Sequence, residues 1–196
     1  MIKYEIIDNF LNDSDYDQLV DYIMPRGYTP RTENVHTERD VAWDYVAKTI
    51  KKDSSQEEST HLKAVTNIKR LEPIDDIFFC HNFLWQGFRS QWFPILNSLL
   101  FKIEPLAIHR IQANLTIQQK EKRRSPFHVD TNKNAGTMTT AIFYVNTTNG
   151  PTILEDVTEI ECRANRLVTY PYDTFHAGVL CTDRPYRVVI NFNYFK

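Results

Sequence analysis

The second half of this 196-residue chain alternates. From Leu106 onward the hydrophobic period drops to two, so that Ile111, Ala113, Leu115 and Ile117 interleave with Gln112, Asn114, Thr116 and Gln118. Successive side chains of a β-strand point to opposite faces, and only a strand sorts residues in this way. Further strands are expected over Met138 to Val145, Thr152 to Asp156, Arg166 to Tyr170, His176 to Leu180 and Arg187 to Tyr194. Turn signals such as Asn149-Gly150-Pro151 separate them. Six or more short strands with such punctuation predict an antiparallel sandwich or barrel. The count fits the double-stranded β-helix, or jelly roll, that cupins also use.

The first half reads differently. Lys3 to Ile7 is a short strand candidate. Asn12, Asp13 and Ser14 offer N-caps for a helix through about Met24, which Pro25, Gly27 and Pro30 end. Asp40 to Lys51 is expected to be a second helix, with Val41, Tyr45, Val46 and Ile50 at helical spacing. Lys52 to Thr60 is a polar loop. Ile77 to Trp85 is an aromatic-rich strand, and Phe88 to Ile103 a further helix despite Pro94. The expected fold class is therefore mainly β with helical support (α+β). It is a single domain over 1–196, in which 1–105 supplies helices and polar loops packed on one sheet and 106–196 forms the β core.

The bulk numbers exclude several classes. A net charge of −2 gives no basic field for nucleic acid or an anionic membrane. Cys80, Cys162 and Cys181 are odd in number and scattered, which implies no disulfide framework and a reducing compartment. No signal-peptide pattern opens the chain, and no apolar run approaches the ~20 residues that span a bilayer. A soluble, cytoplasmic protein is expected.

Ser125-Pro126-Phe127-His128-Val129-Asp130 carries the chemistry, together with Asp173-Thr174-Phe175-His176-Ala177-Gly178. On a strand His128 and Asp130 share a face, ~7 Å apart along the backbone. His176 follows 46 residues after Asp130. Two histidines and one carboxylate on one side of an ion leave the opposite positions open, which suits non-heme Fe(II) and oxygen. The bland alternative is a His-x-Asp pair that merely shares a hydrogen bond.

In the last strand, Val188, Ile190, Phe192 and Tyr194 form one apolar face, expected to meet the helices. Arg187, Val189, Asn191 and Asn193 form the other, which points into the barrel. A guanidinium buried there needs a partner. A bidentate carboxylate is the usual one. That carboxylate belongs either to a protein Asp or Glu or to a small dicarboxylate bound beside the metal.

FHVD, a later FHAG and an Arg opening the last strand resemble the iron- and 2-oxoglutarate-dependent oxygenase superfamily. The resemblance is nearest the prolyl-hydroxylase-like branch and its small bacterial and phage members. Asn165-Arg166-Leu167-Val168, leading through Tyr170-Pro171 to the distal histidine, is similar to the same segment of that superfamily, and the resemblance spans roughly residues 106–196. It implies Fe(II) held by His128, Asp130 and His176, with 2-oxoglutarate as co-substrate and O2 as oxidant. It implies that Arg187 pairs the C5 carboxylate of 2-oxoglutarate, that the Tyr144 hydroxyl donates to the same carboxylate, and that Asn114 lies near the co-substrate. The basic run Gln119 to Arg124 departs from the superfamily's usual glycine- and proline-rich loop. The implied activity is hydroxylation of a peptide or protein side chain, or of a small molecule, with release of succinate and CO2. The rival readings are a non-catalytic jelly-roll binding protein and a cupin-type metalloenzyme that uses no 2-oxoglutarate.

Other residues receive quieter expectations. His81 and His109 are expected to be partly buried and bonded to the backbone, and His36 and His61 to be exposed. Lys120 to Arg124 reads as a solvated loop. Trp43, Trp85 and Trp92 read as packing residues, Trp85 alternatively lining the pocket mouth. Cys162 and Cys181 read as small core residues. No P-loop, GxGxxG, GxSxG or HExxH motif occurs.

Overall fold

The computed structural model describes residues 2–25, 41, 43–47, 77–130 and 138–196. The expected loop over Lys52 to Thr60, His36 and His61 lie outside them. In chain order the elements begin with β1 (Glu5–Ile7), α1 (Asp13–Ile23), β2 (Asp44–Ala47), β3 (Ile77–Trp85) and β4 (Phe88–Arg89). A 3-10 turn (Phe93–Leu96) then leads into α2 (Asn97–Ile103). The remaining strands are β5 (Ala107–Ile117), β6 (Met138–Tyr144), β7 (Thr152–Leu154), β8 (Glu159–Ile160), β9 (Arg166–Pro171), β10 (His176–Gly178) and β11 (Tyr186–Phe195). No described helix is long and apolar enough to cross a membrane.

The large sheet runs β1-β9-β6-β11-β5-β3-β2, with β4 hairpinned onto β3. The small sheet runs β10-β7-β8. All the registers are antiparallel. The stretch from Arg124 to His128 continues the small sheet, because Arg124 bridges Val179 and His128 bridges His176. β11 is the axis of the molecule, pairing β5 on one side and β6 on the other. Its alternation sorts the interior as expected. Val188, Ile190, Phe192 and Tyr194 pack in one cluster with Leu19 and Ile23 of α1 and Leu96 and Leu99 around α2. Val189, on the opposite face, packs with Ile142, Tyr144, Val168 and Tyr170 of the large sheet and Leu154, Ile160 and Cys162 from the small-sheet side. The sheets thus close a jelly roll, and the helices cover its outer wall.

α1 forms where its caps predict. The Asn12 side chain accepts from the Asp15 amide at 2.9 Å, and Asp13 and Asp15 place negative charge at the N-terminal end of the helix dipole. The helix ends at Ile23, before Pro25.

Two expected helices are corrected. Asp44–Ala47, within the helix expected over Asp40 to Lys51, is a strand that pairs antiparallel with Ile77 to Cys80. Tyr and Val favour strands, and the open edge of β3 supplies backbone partners that an isolated helix lacks. The expected helix over Phe88 to Ile103 begins nine residues late, at Asn97. Gln86 and Gly87 both have positive φ (50° and 85°), the signature of a two-residue type I′ hairpin, and this commits Phe88 and Arg89 to β4. Pro94 then sits in the first turn of the 3-10 segment, where no amide donor is needed. The first half therefore supplies strands as well as helices. β8 was not anticipated; two residues carry no readable period.

Two bulges set which side chains face inward. In β3 the register slips between Asn82 and Leu84, so Phe83 and Leu84 both pack into the helix-side cluster. One extra residue reverses parity, and Trp85 emerges on the concave face. Against β11, Arg110 pairs Asn193 while Ile108 pairs Tyr194, leaving His109 extra. His109 is accordingly exposed rather than partly buried, while Arg110 keeps the inward parity of Gln112 and Asn114. His81 is buried as expected, but its Nε2 meets the Ser90 hydroxyl at 3.0 Å.

Gly150 is needed for close approach. A Cβ there would collide with the Val179 carbonyl and crowd Cys181 N at 3.1 Å and Arg187 Cδ at 3.2 Å. Gly150→Ala is expected to cost about 1–3 kcal/mol by overpacking, lowering Tm by roughly 2–12 °C for a chain of this size. Thermal melting checks it; an unchanged Tm means that the loop yields freely at this point.

Candidate metal centre and co-substrate pocket

His128 and His176 stand side by side because their backbones exchange both hydrogen bonds, each at 3.0 Å. Such a hydrogen-bonded antiparallel pair puts both side chains on the same face. The ring centroids are 4.7 Å apart. Asp130 comes just beyond the end of this pairing, in a bend rather than on the regular strand expected for His-x-Asp. One ligand atom from each of His128, Asp130 and His176 lies within 4.8 Å of the others, and it is these three residues that the sequence singled out.

The surroundings fix which atoms are offered. His128 Nδ1 is 3.0 Å from the Pro126 carbonyl and His176 Nδ1 is 3.1 Å from the Thr174 carbonyl. A carbonyl only accepts, so both Nδ1 atoms carry the proton and both Nε2 lone pairs are free to bind a metal. Burial, reinforced by the neighbouring His128, lowers the His176 pKa to about 4, so the imidazole is neutral. Asp130 Oδ2 accepts from Asn193 Nδ2 at 2.8 Å. Its Oδ1 faces His176 Nε2 at 3.9 Å and Arg110 Nη1 at 3.6 Å. Burial favours the protonated carboxyl, but His176, Arg110, His128 and the Asn193 amide outweigh it and hold Asp130 below the usual carboxylate range. The site therefore presents two imidazole Nε2 atoms and one carboxylate.

Arg187 lies further along the same concave face. It is 6% exposed, donating from Nε to the Gly150 carbonyl at 2.8 Å and from Nη2 to Thr152 Oγ1 at 3.1 Å. Among the described residues no carboxylate pairs with it. Its guanidinium sits 5.8 Å from the centre of the Tyr144 ring. Tyr144 points inward as expected, but its hydroxyl donates to Thr152 Oγ1 at 2.8 Å. Burial pushes that phenol up to about 12. Thr152 Oγ1 thus accepts from both Tyr144 and Arg187, leaving its own proton to donate. Asn114 faces the same cavity opposite Val189, with a buried Oδ1 that has no partner.

Asn114 is one of a set. The buried side-chain polar atoms without a hydrogen-bond partner among the described residues are Arg110 Nε, Asn114 Oδ1, Thr116 Oγ1, Tyr170 OH, Tyr172 OH, Asn191 Oδ1 and Asn193 Oδ1. The alternation of β5 and β11 puts five of the seven on the concave face. The Tyr170 ring lies tilted 5.4 Å from His176, and burial, with the charge of Asp130 added, pushes the Tyr172 phenol up to about 12. Buried polar groups are rarely left unsatisfied. Such a concentration around one centre is what a cavity for a polar ligand requires, so these residues fit a metal with a small oxygen-rich molecule beside it.

Three contributors escaped the sequence reading. Asn193 was recognised only as an inward amide, and Thr152 and Arg110 were not singled out. Arg110 had a signal, because it shares a strand parity with Gln112 and Asn114. Arg124, expected in a solvated loop, is buried at 2% with its guanidinium 4.8 Å from the Phe127 ring.

No protein-family model matches the chain, and no curated sequence matches it. Solved structures do. The non-heme α-ketoglutarate-dependent epimerase SnoN from nogalamycin biosynthesis superposes with a TM-score of 0.59 at 12% identity, covering 100% of this chain and 78% of SnoN. SnoN in complex with Fe3+, α-ketoglutarate and nogalamycin RO gives 0.54 at 12% identity, over 100% and 79% of the two chains. A prolyl hydroxylase from Trichoplax adhaerens, bound to a hypoxia-inducible factor peptide fragment, gives 0.53 at 13% identity, over 98% and 83%. The chain has the fold of these proteins.

Proposed function

We propose that the protein is an Fe(II)- and 2-oxoglutarate-dependent dioxygenase that hydroxylates a peptide or protein side chain, or a small molecule, in the cytoplasm. One observation carries the reading: three converging ligand atoms share a concave face with a buried guanidinium that no described carboxylate satisfies. The helices and the β core act as one domain in this reading, since α1, α2 and the large sheet share a single apolar cluster.

His128 Nε2, Asp130 Oδ1 and His176 Nε2 would hold Fe(II). Two carbonyls fix the imidazole tautomers, and Asn193 fixes the carboxylate. Bound iron and 2-oxoglutarate would supply the oxidising chemistry, coupling O2 reduction to release of succinate and CO2. Arg187 would bind the distal carboxylate of 2-oxoglutarate. Thr152, accepting from Tyr144, would add its hydroxyl hydrogen to the same group, so Tyr144 acts through Thr152. Asn114 Oδ1 and Asn191 Oδ1 would find donors among ordered waters or the prime substrate. No protein general base is required.

Isothermal titration tests this directly. With Mn(II) standing in for iron, 2-oxoglutarate is expected to bind with one-to-one stoichiometry, and without metal to bind far more weakly. Metal binding with no 2-oxoglutarate binding would favour a cupin-type enzyme. Binding of neither would favour a non-catalytic jelly roll.

A further inference from the structure

Arg110 is a second inward cation on the concave face, at the opposite end from Arg187. It keeps the inward parity of Gln112 and Asn114 along β5, and the β3 bulge turns Trp85 onto the same face to meet it. Its guanidinium lies 5.4 Å from the Trp85 ring centre. Its side chain is 13% exposed, and its one ion pair among the described residues is a 3.6 Å contact to Asp130 Oδ1, the oxygen offered to the metal. Among the described residues its buried Nε has no partner, and neither has the buried Tyr172 hydroxyl. Trp85 is 42% exposed, an apolar surface at the rim of the cavity.

These facts are out of balance for a purely structural cation. A buried guanidinium normally makes several charge-assisted bonds. Here a metal would draw on the charge of the one described carboxylate in reach, and the strong donor of Nε would still be unused. Arg187 has its own partners far along β11, so one dicarboxylate beside the metal does not serve both cations.

We propose that Arg110 is the anchor for the prime substrate and that this substrate carries a carboxylate next to an apolar or aromatic portion. Arg110 Nε and the Tyr172 hydroxyl donate to the carboxylate. The exposed Trp85 ring, which also braces the guanidinium, takes the apolar portion. The arrangement holds an anionic molecule beside the metal and selects against its neutral analogue. The inference rests on the proposed metal and co-substrate reading.

The test uses full-length protein loaded with Mn(II) and 2-oxoglutarate, and reads binding rather than turnover. The probes are phenylacetate and N-acetylphenylalanine, each paired with its neutral primary amide. Mn(II) broadens the proton signals of any molecule held close to it, so paramagnetic relaxation gives both affinity and proximity. The carboxylates are expected to bind at least about tenfold more tightly than the amides, since a hydrogen bond to a charged group is worth roughly 1.5–3 kcal/mol. Arg110→Gln is expected to abolish that preference while Mn(II) and 2-oxoglutarate still bind. Trp85→Ala is expected to weaken carboxylates and amides alike. Equal broadening by acid and amide, no broadening by either, or an undiminished preference in Arg110→Gln would overturn the anchor while leaving the dioxygenase reading intact. Failure of the wild-type protein to bind Mn(II) and 2-oxoglutarate would instead remove the reading on which the anchor rests, and the anchor with it. Should Arg110→Gln misfold, Tyr172→Phe serves, with a reduced acid preference expected and an unchanged one counting against the proposal.

Discussion

Asp130→Ala is expected to abolish metal binding and, with it, the stabilisation that metal gives. Asp130 supplies the carboxylate of the cluster, and its oxygens are held by Asn193 at 2.8 Å and faced by His176 at 3.9 Å. Loss of a partner that merely orients a ligand typically costs 10–100-fold in metal affinity, so loss of the carboxylate itself should cost more than about 100-fold. In wild type, metal at about 100 times its Kd should add about 2.7 kcal/mol to stability. That is roughly 5–10 °C in Tm for a chain of this size. The variant should melt at the same temperature with and without Mn(II). Its metal-free form should also be less stable than the metal-free wild type, because Arg110 loses its ion pair with Asp130. Asp130→Asn separates the two effects, keeping an acceptor for Asn193 but supplying no charge. Melting curves with and without Mn(II), beside a direct Mn(II) titration, decide the matter; an unchanged metal affinity in Asp130→Ala would remove the candidate metal centre.

Arg187→Met is expected to leave metal binding intact and to weaken 2-oxoglutarate binding by about 100-fold, since the lost charge-assisted bonds are worth roughly 1.5–3 kcal/mol each. Methionine fills much of the same volume without charge. It leaves the Gly150 carbonyl and Thr152 Oγ1 without the donors that reach them at 2.8 Å and 3.1 Å. Turnover should fall and return at high 2-oxoglutarate, a rise in KM rather than a loss of chemistry. Arg187→Lys should restore part of the affinity, as a point charge that cannot form the planar fork. Equal 2-oxoglutarate affinity in wild type and Arg187→Met would exclude Arg187 as the co-substrate's partner. The combination is diagnostic: Asp130→Ala removes both ligands, whereas Arg187→Met removes one.

Gly150 packs at the Arg187 end of the pocket. Its carbonyl accepts from Arg187, and its missing side chain lets the chain pass against Val179 and Cys181. A substitution there disturbs the fold and the co-substrate end at once, so Arg187→Met is the cleaner probe of binding.

The sequence by itself determined what local period and chemical type can determine. The alternation of β11 separated Val188, Ile190, Phe192 and Tyr194 from Arg187, Asn191 and Asn193, and the structure keeps that division. A two-residue period leaves no other way to bury the apolar set. The three metal-ligand candidates and Arg187 were legible because each is a chemically unusual residue in a strand context. Only the tertiary structure decided the rest. Asp44–Ala47 became a strand because β3 lies beside it, a partner more than thirty residues away in sequence. The Tyr144 hydroxyl turned to Thr152, which is reached only when the sheets close. Trp85 faces the cavity because a single extra residue in β3 reverses parity, and no local period announces an extra residue. The convergence of His128 with His176 is of the same kind. Their side-by-side placement comes from two backbone hydrogen bonds between segments 48 residues apart, and those form only when the stretch before Asp130 joins the small sheet.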